Sequence, residues 1–212
     1  MSVLDIYYQL LKIFLKTEME KWYEIITINT REACRMLTGV HVYLRLMEEK
    51  DVMCKVKWIN DPEVRKTLNF IYPISEIATK QWLNRVASDT SRKDFIVCLK
   101  ENDKQIGYAG LLNIDIRNSK AESYMGIGEK DYWGKGYAKE IRKILLEYVF
   151  LELALNKVYS YVWTKNEKVI NLNKAFGFKI EGNLKQDVFS HGEYRDRLLM
   201  SLFKSDYLSN RS

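Results

Sequence analysis

Apolar side chains recur at two different periods along this chain of 212 residues, and the change of period divides it. In residues 1–35, Leu4, Tyr8, Leu11, Leu15, Met19 and Trp22 follow one another at steps of three and four, the repeat of one helix face. Asp5 and Lys12 interrupt the stretch, which excludes a signal-peptide core. Its five basic and five acidic residues balance, so this amphipathic helix is expected to dock on the domain or on a second subunit of a homodimer rather than on an anionic membrane.

From Val40 the period shortens. Val42, Leu44 and Leu46 alternate with Tyr43 and Arg45, the pattern of a half-buried strand. A helix is predicted over 48–58, stopped by Asn60-Asp61-Pro62, then a short helix over 63–69. Ser75 is a good N-cap for a helix bearing Ile77, Trp82, Leu83 and Val86. Strands over 95–99, 106–116 and 121–127 read as an antiparallel meander. A long helix follows over 136–153, then a strand over 157–163, a helix starting near Asn166, and two strands over 178–189 and 194–203. The fold class is mixed α/β with a mainly antiparallel sheet flanked by helices. Residues 1–35 form a helical extension, 36–205 the domain and 206–212 a tail.

Hydrophobic residues at 47% and aromatics at 13% exclude a disordered chain. No apolar run approaches the ~20 residues that span a bilayer, so no membrane partner is expected. Basic residues outnumber acidic ones by six, but the charges are scattered. No basic stripe with interleaved aromatics appears, so nucleic acid is not the expected partner. Cys34, Cys54 and Cys98 form no C-x-x-C pair, and His41 and His191 lie 150 positions apart, so neither a disulfide framework nor a metal site is expected. Free thiols and the lack of a leader point to the cytoplasm.

The chemistry concentrates in Tyr132-Trp133-Gly134-Lys135-Gly136-Tyr137-Ala138, between a predicted strand and a long helix. A glycine-rich turn entering a helix presents free backbone N–H groups and the positive end of the helix dipole, a seat for phosphate or pyrophosphate. An ordinary tight turn is the competing reading. The P-loop pattern is absent, and the dinucleotide pattern fails because Lys139 stands where its third glycine would be.

The order of these pieces resembles the GNAT superfamily of acetyl-CoA-dependent N-acetyltransferases. The matching stretches are 122–128, Trp133 to Glu140, Asn166 to Phe178 and Glu181-Gly182, with 37–45 and 58–64 upstream. The resemblance covers about 36–205 and is greatest to the ribosomal-protein-type, polyamine and amino-sugar acetyltransferases. It implies a GNAT-type sheet and acetyl-CoA as cosubstrate. The amides of Gly134, Lys135, Gly136, Tyr137 and Ala138 would hold the pyrophosphate, with Trp133 standing where the family carries Gln or Arg. The strand at Gly126, Ile127 and Gly128 would pair its backbone with the pantetheine arm. Asn166 would contact that arm, besides capping its helix.

Seven positions after Asn166 the family commonly carries a Tyr that protonates the departing thiolate; here it is Asn173. Asn can donate a hydrogen bond but no proton at useful pH. Tyr124, Tyr132 or Tyr137 could stand in. Glu122 is the candidate base, because an alkylamine must lose a proton before it attacks; an exposed residue or ion-pair partner is its other reading. Trp58, Tyr72 and Trp82 either line an acceptor groove or belong to the core. The expected reaction moves acetyl from acetyl-CoA to a primary amine of a small molecule, an amino sugar or polyamine. A protein N-terminus is the alternative acceptor, and a non-catalytic acyl-CoA-binding module the alternative of another class.

Overall fold

The computed structural model describes residues 37–66, 68, 72–190 and 192–209. The helix expected over 1–35 and the turn residue His191 lie outside the described residues. The strands are β1 (Leu37–Thr38), β2 (Val42–Leu46), β3 (Lys93–Leu99), β4 (Gln105–Asp115), β5 (Lys120–Ile127), β6 (Lys157–Trp163), β7 (Lys179–Ser190) and β8 (Glu193–Phe203). They form one sheet in the order β1-β2-β3-β4-β5-β6-β8-β7. Every neighbouring pair is antiparallel except β5 and β6. A parallel pair needs a crossover, and the long helix between the two strands supplies it.

The helices are α1 (Val52–Asn60), α2 (Pro62–Arg65), α3 (Glu76–Val86), α4 (Tyr137–Glu147), α5 (Glu167–Ala175) and α6 (Lys204–Ser209). Their starts follow the sequence signals. Asp61 accepts from the amides of Glu63 and Val64 at 2.8 and 3.1 Å, with Pro62 in the first turn of α2. Ser75 accepts from Ala78 at 3.2 Å, and Asn166 from Val169 at 3.3 Å. The long helix expected to Leu153 is instead α4 followed by a wide π turn over Tyr148–Glu152, closed by Leu153 N–H to Tyr148 O at 2.9 Å. The widened turn puts the adjacent Val149 and Phe150 both into the core. The chain expected as a tail from 206 continues the domain: Tyr207 of α6 is buried, its ring 4.9 Å from that of Phe150.

α4 covers one face of the sheet. Ile141, Ile144 and Leu145 pack on Val42, Leu44, Phe95, Val97 and Ile106. Further along, Leu146, Val149 and Phe150 join Val158, Met200 and Leu202. α1 and α3 cover the opposite face, where Val52 and Trp58 pack on Tyr43, Ile96 and Tyr108. Each such buried large side chain contributes roughly 1.5–3 kcal/mol. Among the described residues no helix is long and apolar enough to cross a membrane.

One polar contact ties α4 to the sheet edge. Glu140 accepts from the backbone amides of His41 and Val42 at 2.6 and 2.9 Å, and its other oxygen lies 3.2 Å from the His41 ring. Replacing Glu140 with Ala leaves both amides without this acceptor. The expected loss is about 1–3 kcal/mol, the usual penalty for orphaned polar groups, read as a lower urea midpoint at unchanged slope. Glu140→Gln, which keeps one acceptor oxygen, is expected to lose less.

Candidate active site

β5 and β6 share a ladder only at Lys120↔Lys157, Ala121↔Val158 and Glu122↔Tyr159. Beyond Glu122 they part, while β5 stays paired to β4 through Ile127 and β6 to β8 through Trp163. A cavity of about 920 Å³ opens at the fork. Strand alternation sorts its wall. Ser123, Met125, Ser160 and Val162 belong to the α4 side, with Arg142, Asn166 and Val169 from the helices there. Glu122, Tyr124, Tyr161 and Trp163 belong to the α1/α3 side, opposite Lys55, Trp82 and Asp94. The cavity thus passes through the sheet, with room for an acyl-carrier arm and a small acceptor meeting at the fork.

The fork leaves one backbone edge of β5 open. Gly128 N–H donates to Ile106 O at 2.9 Å. Counting back by twos, Gly126 and Tyr124 also direct their backbone groups to β4. Ser123, Met125 and Ile127 therefore face the opening. The Trp133 indole N–H donates to Ile127 O at 2.8 Å and occupies that carbonyl. The expected pairing edge at Gly126, Ile127 and Gly128 is corrected accordingly: Gly126 and Gly128 turn to β4, the Ser123 N–H is spent on Tyr159 in the last parallel pair, and Met125 carries the open edge, flanked by the Ser123 carbonyl and the Ile127 N–H. Gly128 is glycine for another reason, since a Cβ there would lie 2.2 Å from the Trp58 ring. Trp133, in the place of the family's Gln or Arg, braces the loop from below.

The loop itself fits a phosphate group. α2, α3 and α5 begin under a side-chain cap, whereas α4 begins at Gly136 with none. Gly134 and Gly136 take φ of 76° and 88°, a backbone that only glycine adopts without strain. The first amides of α4 have no intrahelical acceptor. A second cavity, about 390 Å³, lies there against Gly136 and Tyr137. Lys135, Lys139 and Lys143 line it at steps of four. Unspent amides, a helix dipole and three lysines suit the phosphates of coenzyme A.

Glu122 lines the fork cavity at the last paired position of β5. Its carboxylate accepts from Asn113 Nδ2 at 3.1 Å. Burial pushes its pKa up, against the opposing pull of the Asn113 hydrogen bond and the Arg197 charge. It is an acceptor of protons rather than a closed ion pair.

Asn173 does not reach the cavity. It is fully buried, its Nδ2 donating to Ser160 Oγ at 3.2 Å, and it stands behind the wall that Ser160 forms. The expected catalytic contact is therefore corrected to a supporting one, because α5 turns this position onto β6. The phenols named as its stand-ins fare differently. Tyr124 lines the cavity, but its hydroxyl donates to Asp94. Tyr132 and Tyr137 pack tilted against each other by the loop, ring centroids 5.9 Å apart, away from the fork cavity. Tyr108, which no motif singled out, has a fully buried hydroxyl in the cavity wall with no hydrogen-bond partner among the described residues. The only sequence signal for it was that it is the one aromatic residue of β4.

Of the three aromatics proposed for an acceptor groove, Trp82 lines the cavity. Trp58 is 1% exposed, its indole N–H donating to Glu129 at 2.8 Å, and belongs to the core. Tyr72 lies outside the wall, with the Arg65 guanidinium 4.2 Å over its ring. Asn166 lines the cavity and caps α5 at once. Arg142, missed in the sequence, is buried beneath the fork and donates to Ser123 Oγ at 2.8 Å; burial pushes its pKa down to about 10.

The Acetyltransferase (GNAT) domain family matches residues 41–179. An N-acetyltransferase of Bacillus licheniformis is 33% identical over 165 residues, covering 76% of this chain and 90% of the relative. The spermidine N(1)-acetyltransferase of Escherichia coli K12 is 33% identical over 121 residues, covering 57% of this chain and 63% of the relative. Among solved structures, spermidine N-acetyltransferase from Vibrio cholerae in complex with CoA and spermine superposes with a TM-score of 0.76 at 26% identity, covering 80% of this chain and 99% of that one. The family match spans the fork, the loop and the capped α5, so the chain belongs to the GNAT acetyltransferases and uses acetyl-CoA as its acyl donor.

Proposed function

We propose that the domain transfers acetyl directly to the primary amine of a small molecule, with Glu122 as the base. The observation that carries this is the position of Glu122. It lines the fork cavity at the point where β5 and β6 part, with a burial-raised pKa and, among the described residues, no ion pair. The acceptor enters from the α1/α3 side. Glu122 takes a proton from the ammonium group, directly or through water, and frees the nitrogen lone pair. The nitrogen–carbonyl bond forms as the carbon–sulfur bond breaks, the electron pair leaves with the thiolate, and the second proton that the nitrogen sheds passes to that sulfur, giving the amide and the thiol, while Glu122 returns its own proton to solvent. The open-edge amide of Met125 donates to the carbonyl oxygen as charge develops there. The Tyr108 hydroxyl is the spare donor of the cavity wall.

A direct transfer agrees with the thiols. Cys54 and Cys98 line neither cavity, and burial pushes both thiols up, away from the thiolate that an acyl-enzyme requires. The solved relative bound to CoA and spermine supports a small-amine acceptor, as does a cavity that must take both the carrier arm and the acceptor. Intact Glu122 favours an enzyme over a decayed acyl-CoA-binding module. The compartment we propose is the cytoplasm, where acetyl-CoA is at hand.

A base with a raised pKa loses activity as pH falls through it, so kcat/KM is expected to show an acid limb centred above the ordinary Glu value. Glu122→Gln is expected to lower kcat about 100-fold or more and to erase that limb, while acetyl-CoA affinity by calorimetry stays within about twofold. An unchanged profile in the variant removes Glu122 as base. Trp133→Phe keeps the ring and removes the N–H to Ile127. It is expected to weaken acetyl-CoA binding about two- to tenfold, the worth of one hydrogen bond, with little change in thermal midpoint because the ring is 40% exposed.

A further inference from the structure

The α1/α3 side of the fork cavity carries two unspent charges of opposite sign. Arg92 donates twice to Asp94, at 2.7 and 2.9 Å, and Asp94 also accepts from Tyr124. Arg197 is paired with Asp187. These two pairs neutralise themselves, which leaves Glu122 and Lys55. Lys55, on α1, is 8% exposed and lines the cavity. Among the described residues no carboxylate lies within ion-pair distance of it. Its Nζ sits 3.6 Å from the centroid of the Trp82 ring and 4.0 Å from Met47 Sδ.

A ring face and a thioether attract an ammonium group weakly and do not replace its water shell. Burial accordingly pushes the Lys55 pKa down to about 8, with Arg92 adding to the effect and Asp94 opposing it. Such a group gains most from an anion brought into the cavity. The phosphates of the acyl donor do not fill this need, because Lys135, Lys139 and Lys143 line a separate cavity at the start of α4. A polyamine fits the wall poorly: its amines are protonated at neutral pH, and one engaged at Glu122 would set another cation toward Lys55.

We propose that the acceptor is a small primary amine that also bears an anionic group, phosphate or carboxylate, and that Lys55 beside Trp82 seats this anion while Glu122 faces the amine. This rests on the acetyl-transfer reading above and selects the substrate class within it. Trp82 gives the seat an apolar floor on which a sugar ring or aliphatic chain can lie. Lys55 is then a specificity-determining residue, invisible to the sequence motifs because it comes from α1, outside them.

The test is thiol release from acetyl-CoA with matched acceptors, followed in the full chain and in two variants. Glucosamine 6-phosphate is compared with glucosamine, L-alanine with L-alaninamide, and spermidine stands for the polycations. At least one anionic member is expected to exceed its uncharged counterpart in kcat/KM by about 10- to 100-fold, mainly through KM, as for a hydrogen bond between charged groups. Lys55→Met is expected to remove that difference and Lys55→Arg to keep most of it. Met replaces a buried charge by an apolar chain of similar length, so the fold is expected to survive, with the thermal midpoint as the check. Spermidine or the uncharged members being preferred overturns the proposal, as does a preference that survives in Lys55→Met. If none of the five amines is acetylated although acetyl-CoA binds, the acetyl-transfer reading fails separately. Quenching of tryptophan fluorescence by glucosamine 6-phosphate or L-alanine then decides on the anion seat: binding lost in Lys55→Met supports it, and binding equal in both proteins, or none, overturns it.

Discussion

The structure turns on a parallel ladder only three residue pairs long. β5 and β6 are joined at Lys120 to Glu122 and nowhere beyond. Each strand keeps its other neighbour, β4 or β8, so neither can bend to close the gap without breaking a longer ladder. The result is a stretch of strand edge inside the protein whose amides and carbonyls lack a strand partner. Buried backbone groups are rarely left so, and an extended ligand can supply the missing bonds as a short third strand. The site is thus a consequence of topology: a sheet interrupted where its single parallel pair ends. Arg142 and the buried Ser123 and Ser160 fill the apex with polar groups instead of apolar ones. The apex is therefore not a place where the two strands can simply collapse onto each other.

Charge follows the same division of the sheet. On the α4 side the cations gather at the helix start, where Lys135, Lys139 and Lys143 accompany uncapped amides. On the α1/α3 side they stand in the cavity wall, and most of them are paired. Elsewhere a buried pair does structural work only: Arg45 donates twice to Asp51 at 2.7 Å, and Asp51 also accepts from the Glu48 amide. That pair turns the chain from β2 into α1 and so sets where Lys55 and Trp58 fall. The contrast separates charges that hold the fold, with every lone pair engaged, from those that stay available to a ligand.

Much of the fold was legible in the chain. Alternation marked β2, the caps at Ser75 and Asn166 marked helix starts, and Asn60-Asp61-Pro62 marked a helix end, because these signals are local: each depends on a few neighbouring residues and their own backbone. The glycine loop was legible for the same reason, as Gly134 and Gly136 answer to their own dihedral angles. Glu122 could be named as a candidate from its strand and its neighbours. The bend to a π turn after α4 and the docking of Tyr207 were not legible, since both depend on which residues share the core around Phe150.

The remaining assignments depended on which way a side chain faces in three dimensions. Asn173 and Trp58 stood at the expected spacing, yet α5 turns one onto β6 and Gly128 lets the other sink beneath β5. Lys55 and Arg142 belong to no motif of the sequence. They are buried because α1 and α4 lie across opposite faces of the same fork, a relation between segments 87 positions apart. Spacing along a chain reports local geometry, so it specified the strands, the caps and the phosphate loop. Burial, charge pairing and the free edge of β5 arise from contacts distant in sequence, and only the packed sheet could assign them.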